Sequence, residues 1–364
     1  MTDLKTNVDF VVKKGKLDEH RFVSNDLAAL EEGEVRFRID RYAFTANNVT
    51  YGVAGDMLNY WQFFPADEGW GRIPVWSIGS VIDSRHDDFN EGDRYYGYFP
   101  MSSTLTVQPS KVSPRGFVDN AAHRRELPPT YNQYSKMTPE LGFEPAFDNH
   151  VMLYRPLFAT SFLIDDWLGG EDYFGAKTLV VSSASSKTSF GLGYRAALRD
   201  GQRKIIGLTS PRNVAFVEGL GCFDTVVAYD DITSIPNNDS VAYVDMAGNV
   251  EVNANVHNHF ADQLTVSSRV GITHWQDGGQ DSNLPGPEPQ MFFAPNQIQK
   301  RVGELGAQGF QQQIGAALTD LYTFADQHVD ITEQVGQEAV ETVYKEMLSG
   351  NAKPNEGFIV SIHA

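Results

Sequence analysis

Residues 177–213 read KTLVVSSASSKTSFGLGYRAALRDGQRKIIGLTSPRN. No other stretch constrains the fold as strongly, because its segments follow an order that builds a nucleotide site. LVV is a continuous apolar run, as expected of a strand covered on both faces. Phe190, Tyr194, Ala197 and Leu198 recur at helical spacing on one side of the segment that follows. IIGL then predicts a second, parallel strand. A phosphate-bearing ligand fits where SSASSKTS meets the helix, since free backbone N–H groups and the positive end of the helix dipole point outward there.

The turn lacks GxGxxG. Ser182, Ser183, Ala184, Ser185 and Ser186 can replace glycine if small size is the main requirement, and their hydroxyls add donors. Lys187 and Thr188 are in reach of a phosphate. A P-loop, GxxxxGK[ST], matches at Lys187 and Thr188 but fails at Val181 and Ser186, where its glycines belong. A serine-rich N-cap with no ligand is the plainer reading. In NAD-binding folds an acid after the second strand accepts the ribose 2′-OH. Here that strand ends in Thr209, Ser210, Pro211, Arg212 and Asn213, with no acid. Arg212 is a fork of donors suited to a phosphate, and Ser210 can add a bond. This favours NADP over NAD, against the alternative that Arg212 is a solvated residue of the next helix.

The chain has 364 residues, 41% of them hydrophobic, which suits two domains with large cores. No run approaches the length of a membrane span, and the N-terminus has no signal-peptide core. A single cysteine, Cys222, excludes an internal disulfide and a multi-cysteine zinc site, and it reads as structural. The expectation is a soluble cytoplasmic protein. A formal charge of −18 argues against nucleic acid and leaves a small molecule as the expected partner.

Residues 1–112 read as β-rich, with VRFRIDRYAF, IPVWSIGSVI and the strand at 95–99. Residues 113–150 read as a long polar loop with apolar material to pack in Tyr131, Tyr134 and Phe147. A helix is expected at 151–167. Strand-like and helix-like segments then alternate to about residue 273, which argues a parallel sheet with helices on both faces. A turn-rich loop follows at 276–289. Amphipathic helices are predicted near 297–326 and 332–348, the second stopped by Gly350 and Pro354, with GFIVSI as a last strand.

These pieces resemble the medium-chain dehydrogenase/reductase superfamily, in its zinc-independent, quinone-oxidoreductase-like branch. EGEVRFRIDRYAFTANNVTYGVAGD is similar to that family's opening strand and its turn toward the active site. RIPVWSIGSVIDS followed by NEGDRYYGYFP resembles its pocket-lining strand and the turn after it. LGCFDTVVAYDD, VAYVDMAGN, RVGITH and SGNAKPNEGFIVSI resemble later passages of the nucleotide half and the close of the first domain. More narrowly, NNVTY, YWQFFP, VDMAGN and THW resemble the domain-of-unknown-function 2855 group. The resemblance implies an α/β protein: a GroES-like β-rich domain (1–155 and 320–364) plus a Rossmann-type, doubly wound parallel-sheet domain (156–319). The early ligand cysteine and the Gly-His-Glu motif of zinc-containing members are missing, so no catalytic zinc is expected. The glycine fingerprint is replaced, and 113–150 is long for the family.

The resemblance also implies an NADPH-dependent, zinc-independent reductase of an activated C=C or C=O. The cofactor site would draw on Ser183, Ser185, Ser186, Lys187, Thr188, Ser210, Arg212 and Asn213. Met246, Gly248 and His274 would lie toward the nicotinamide. Tyr51 and Asn48 are the candidate catalytic residues: Tyr51 donates to the developing enolate, and Asn48 orients substrate or cofactor. Asn47, Tyr60, Trp61 and Trp76 are candidates for the substrate pocket. Packing competes with each role, above all in the aromatic group Tyr60, Trp61, Phe63 and Phe64. His257 and His259 read as helix-surface residues rather than metal ligands, because no set is completed. A lyase or isomerase that borrows hydride transiently and a non-catalytic NADPH sensor are the alternative functions. A homodimer paired along a sheet edge near 270–273 is expected.

Overall fold

The computed structural model describes residues 5–199, 203–246, 248–270 and 284–363. The first half holds β1 (Thr6–Lys13), β2 (Lys16–Asp26), β3 (Val35–Phe44), helix α1 (Ala46–Val53), β4 (Trp70–Gly71), β5 (Pro74–Ser84) and β6 (Arg94–Pro100). It continues through β7 (Thr104–Val107), β8 (Pro109–Ser113), β9 (Gly116–Asp119), β10 (Gln133–Lys136) and helix α2 (Asp148–Gly170). Then come β11 (Thr178–Val181), α3 (Lys187–Ala197), β12 (Lys204–Thr209), α4 (Val214–Gly219), β13 (Thr225–Ala228) and β14 (Val241–Asp245). The remainder is α5 (Val250–Phe260), β15 (Leu264–Arg269), β16 (Gln290–Met291), α6 (Ala294–Ala325), β17 (Asp330–Val335), α7 (Gln337–Ser349) and β18 (Glu356–Ser361). The chain divides into two compact units, Met1–Leu153 with Asp330–Ala364, and Tyr154–Val329.

The first unit is β-rich. Its nine-stranded sheet runs β17-β18-β3-β5-β6-β10-β9-β8, with β7 also pairing with β3, and β2-β1-β4 form a smaller sheet. Phe37, Ile39, Val75, Phe99, Phe117, Tyr134 and Phe358 meet in its core. Two expectations are corrected here. Residues 113–150 are not only loop: β9 and β10 extend the sheet, and the Phe117 and Tyr134 rings stack at 4.8 Å. This stack needs Gly97, where a Cβ would lie 2.4 Å from the Tyr134 ring. Residues 332–348 are not one helix. Gly336, at φ +99°, separates β17 from α7, and such a φ suits glycine best.

The second unit is a parallel sheet in the order β13-β12-β11-β14-β15-β16. Counted within the unit this is 3-2-1-4-5-6, the doubly wound dinucleotide order. β11 is buried along its whole length, as its apolar run predicts. The phase of α3 differs from expectation. Ser189, Phe190, Leu192, Gly193 and Ala196 face inward, while Ala197 and Leu198 are exposed. Close approach at Gly191 and Gly193 sets that phase: a Cβ would lie 2.9 Å from Ser161 Oγ at the first and 2.6 Å from the Phe223 ring at the second. Among the described residues the sheet ends beyond β15 on the two-residue β16. Val270 follows β15, and 271–273 lie outside the described residues.

Candidate functional site

Open parallel sheets bind ligands beyond the carboxyl ends of their strands, where the strand order reverses. In the second unit that point lies between β11 and β14, and the serine-rich turn leaves β11 there. Ser182 ties the two strand ends together. Its Oγ donates to Asp245 Oδ1 at 3.0 Å and accepts from the Met246 N–H at 2.9 Å. Asp245 Oδ1 also accepts from the Gly248 N–H at 3.0 Å. Asp245, buried like Ser182, was not singled out in the sequence as a site residue.

Ser183 adopts φ +49°, the left-handed region where a fingerprint glycine is usual. Its N–H donates to the Tyr229 hydroxyl at 3.0 Å, and the Ala184 N–H donates to Leu208 O at 2.9 Å. Ser186 caps α3: its Oγ accepts from the Ser189 N–H at 3.1 Å. So the capping role is present. Ser185 remains half-buried, and its Oγ accepts from Asn213 Nδ2 at 3.1 Å and lies 3.3 Å from Thr209 Oγ1. These contacts bring the turn after β12 onto the turn after β11. Lys187, Thr188 and Ser210 are half-buried and Arg212 is exposed. His274 lies outside the described residues.

The first unit holds an aromatic group around α1. Asn48 is engaged at the start of the helix. Its Oδ1 accepts from the Thr45 N–H at 2.8 Å and its Nδ2 donates to Pro74 O at 3.0 Å, which starts α1 and pins it to β5. Asn47 takes the neighbouring position instead: its Nδ2 donates to Tyr51 Oη at 2.8 Å. Trp76 Nε1 donates to the same oxygen at 3.4 Å. Tyr51 Oη thus receives two bonds, and burial pushes its phenol above the usual range. The rings of Tyr51 and Tyr60 lie 4.6 Å apart, as do those of Tyr98 and Tyr131, and the Tyr60 and Tyr131 hydroxyls approach to 3.3 Å. Phe63 and Phe64 join this group. Trp61 does not: it packs into the main core over Gly55 and Gly71, where a Cβ would lie 2.2 Å and 2.4 Å from its ring.

Sequence reasoning missed Arg124, which holds the wall carrying Tyr131. It is 1% exposed. Its guanidinium donates to Asn132 Oδ1, Asp119 Oδ2 and Tyr134 Oη, each at 2.9 Å, and to Tyr131 O at 2.6 Å. It also lies 5.0 Å from the centre of the Phe64 ring. The residues flanking it carry no motif, so no linear signal marked it. His257 corrects another expectation. It is fully buried rather than on the helix surface, with Nδ1 2.9 Å from Pro285 O and Nε2 2.9 Å from Ser267 Oγ. Among the described residues no three His, Cys, Asp or Glu side chains are placed to hold a metal ion, and no helix is long and apolar enough to cross a membrane. A shallow depression of about 480 Å³ on the first unit is lined by Arg38, Arg41 and Arg94, each already paired with a carboxylate.

No curated protein matches the chain. Solved structures share its fold over nearly the full length. CurA from Vibrio vulnificus in complex with NADPH is 14% identical with a TM-score of 0.61, covering 98% of this chain and 99% of that one. The CurK enoyl reductase is 14% identical with a TM-score of 0.57 and the same coverage. The quinone oxidoreductase from Coxiella burnetii is 13% identical with a TM-score of 0.56, again covering 98% and 99%. The fold class is the expected one: α/β, with a GroES-like β-rich part and a Rossmann-type part. A family profile described as "Protein of unknown function (DUF2855)" matches residues 42–353, and the chain belongs to that family.

Proposed function

We propose that the chain is an NADPH-dependent, zinc-independent reductase of an activated C=C or C=O in a small molecule. The observation that carries this reading is the hydrogen-bonding state of Tyr51. Its oxygen accepts from Asn47 and Trp76, so its own proton is left to donate. In the second unit the residues fit a dinucleotide. The strand order reverses beside a helix N-terminus, and Ser185 and Thr188 line the turn. Ser210 and Arg212 follow β12 with no carboxylate among residues 209–213, which favours a 2′-phosphate. Fold relatives crystallised with NADPH, or named as an enoyl reductase and a quinone oxidoreductase, support the same class.

When bound, NADPH supplies a hydride. Reduction of a conjugated substrate would place the π electrons on its oxygen, and a proton drawn from solvent would complete it at the neighbouring carbon. Tyr51 donates to that oxygen as its charge grows. With its phenol raised by burial, Tyr51 acts as a hydrogen-bond donor that keeps its proton.

The test is a fluorescence titration with NADPH and NADH. Tighter binding of NADPH is expected, and loss of one charge-assisted contact in Arg212→Ala should reduce that preference by about tenfold or more. Failure of both cofactors to bind refutes the reading. We also propose a homodimer formed beside β16, where Met291 and Phe293 expose 49% and 59% of their surface. Sedimentation at micromolar concentration is expected to show the dimer, and a monomer alone would refute it.

A further inference from the structure

Tyr51 is 7% exposed, yet the proposed mechanism has its hydroxyl donate to a substrate. Whatever reaches that oxygen must first pass the side chains that cover it. Among the described residues, the Tyr60 ring lies 4.6 Å from that of Tyr51, and Trp76 donates to the Tyr51 oxygen. The Tyr131 ring lies 5.9 Å from Tyr60 and 6.0 Å from Trp76. Tyr60, Trp76 and Tyr131 are half-buried and form the outer layer of this group, while Tyr98, Phe63 and Phe64 form its buried floor.

The main chain of the outer layer is fixed. β5, which carries Trp76, is paired on both sides by β3 and β6, and the Trp76 ring stacks on Tyr96 at 5.5 Å. Tyr60 is followed by Trp61, whose ring is wedged over Gly55 and Gly71. The Tyr131 carbonyl accepts from Arg124 at 2.6 Å, and the next residue, Asn132, is held by the same arginine. The phenol side chains of Tyr60 and Tyr131 remain able to turn. Their tips meet in one contact, Oη to Oη at 3.3 Å, which is long for a bond between hydroxyls.

We propose that Tyr60 and Tyr131 are a side-chain gate over Tyr51, latched by that one hydroxyl contact and opened by a turn of either ring while the main chain stays in place. The part the gate plays in admitting a substrate rests on Tyr51 being the donor; the latch itself does not.

The experiment nitrates the whole protein with tetranitromethane at pH 8 and follows the initial rate at Tyr51 by mass spectrometry, with NADPH affinity measured separately on each protein. In the closed state the Tyr51 ring admits no reagent of that size, so its rate follows the open fraction. Tyr60→Phe and Tyr131→Phe each keep the ring and remove the latch. One neutral hydrogen bond shifts such an equilibrium by about fivefold, so nitration of Tyr51 should rise about fivefold in each. Both variants delete the same contact, so the double variant should rise no further. Tyr42, 1% exposed in the main core of the same unit, should keep its wild-type rate in all three. An unchanged Tyr51 rate in either single variant overturns the gate. So does a double-variant rise equal to the product of the single ones, or a parallel rise at Tyr42. These rates need neither cofactor nor turnover, so failure of the reductase reading is seen independently.

Discussion

Arg124→Met is the most informative test of how the wall around Tyr131 is held. The substitution keeps a long apolar stem over Phe63 and Phe64 but removes all four acceptor contacts. Among the described residues it leaves Asp119, 2% exposed, with the Gln108 and Ala121 N–H groups, both on Oδ1. Removing one partner of a buried ion pair costs about 3–5 kcal/mol. A domain is stable by only about 5–15 kcal/mol in total. At a urea slope of about 2 kcal/mol per molar, a loss of 4 kcal/mol moves the midpoint down by about 2 M. Urea unfolding followed by tryptophan fluorescence is weighted toward the first unit, because three of the five tryptophans, Trp61, Trp70 and Trp76, lie in it. The double variant Arg124→Met with Asp119→Asn should recover part of the loss, since no buried charge then lacks its partner. A midpoint shift below about 0.5 M, or no recovery in the double variant, refutes the argument.

Burial pushes the Cys222 thiol up to about 12, so it should resist iodoacetamide at pH 8 in the folded protein and react once unfolded. Labelling of the native protein at the rate of a free thiol would contradict this. Burial also raises the phenols of Tyr42, Tyr51 and Tyr131 above their ordinary value of 10.0. Above pH 10 the unfolded chain therefore holds fewer protons than the native one. Stability that is fully present below pH 10 should fall by up to about 1.4 kcal/mol per pH unit for each such tyrosine. Urea midpoints that do not change between pH 9 and 11 would contradict it.

The second unit was legible because its signals are local. An apolar run, small turn residues and a helical period within 40 residues suffice for a βαβ unit, and the structure has it. The phase of α3 was not legible, because the glycines that set it act through contacts with Ser161, Phe158 and Phe223, distant in sequence or across the sheet. β9 and β10 were hidden for a related reason. Four residues each, GFVD and QYSK, carry no usable alternation, and they become strands by pairing with each other and with β6. DITEQV resembled the start of a helix until Gly336 and its partner strand β18 placed it in the sheet. In the candidate site, Tyr51 was accessible from resemblance. The exchange of Asn48 for Asn47 was not, since only a register on α1 decides which amide caps the helix and which reaches Tyr51.

The Ser183 amide, already bonded to a phenol, changes what a visiting anion meets at this turn. A glycine-rich bend offers stationary N–H vectors. Here the first vector is taken, and the hydroxyls of Ser182, Ser183 and Ser186 already face Asp245, Tyr229 and Ser189. The Ser185 oxygen receives bonds from Thr209 and Asn213, which leaves its own proton to turn. A guest anion would meet one rotating hydroxyl where a glycine bend offers several stationary amides.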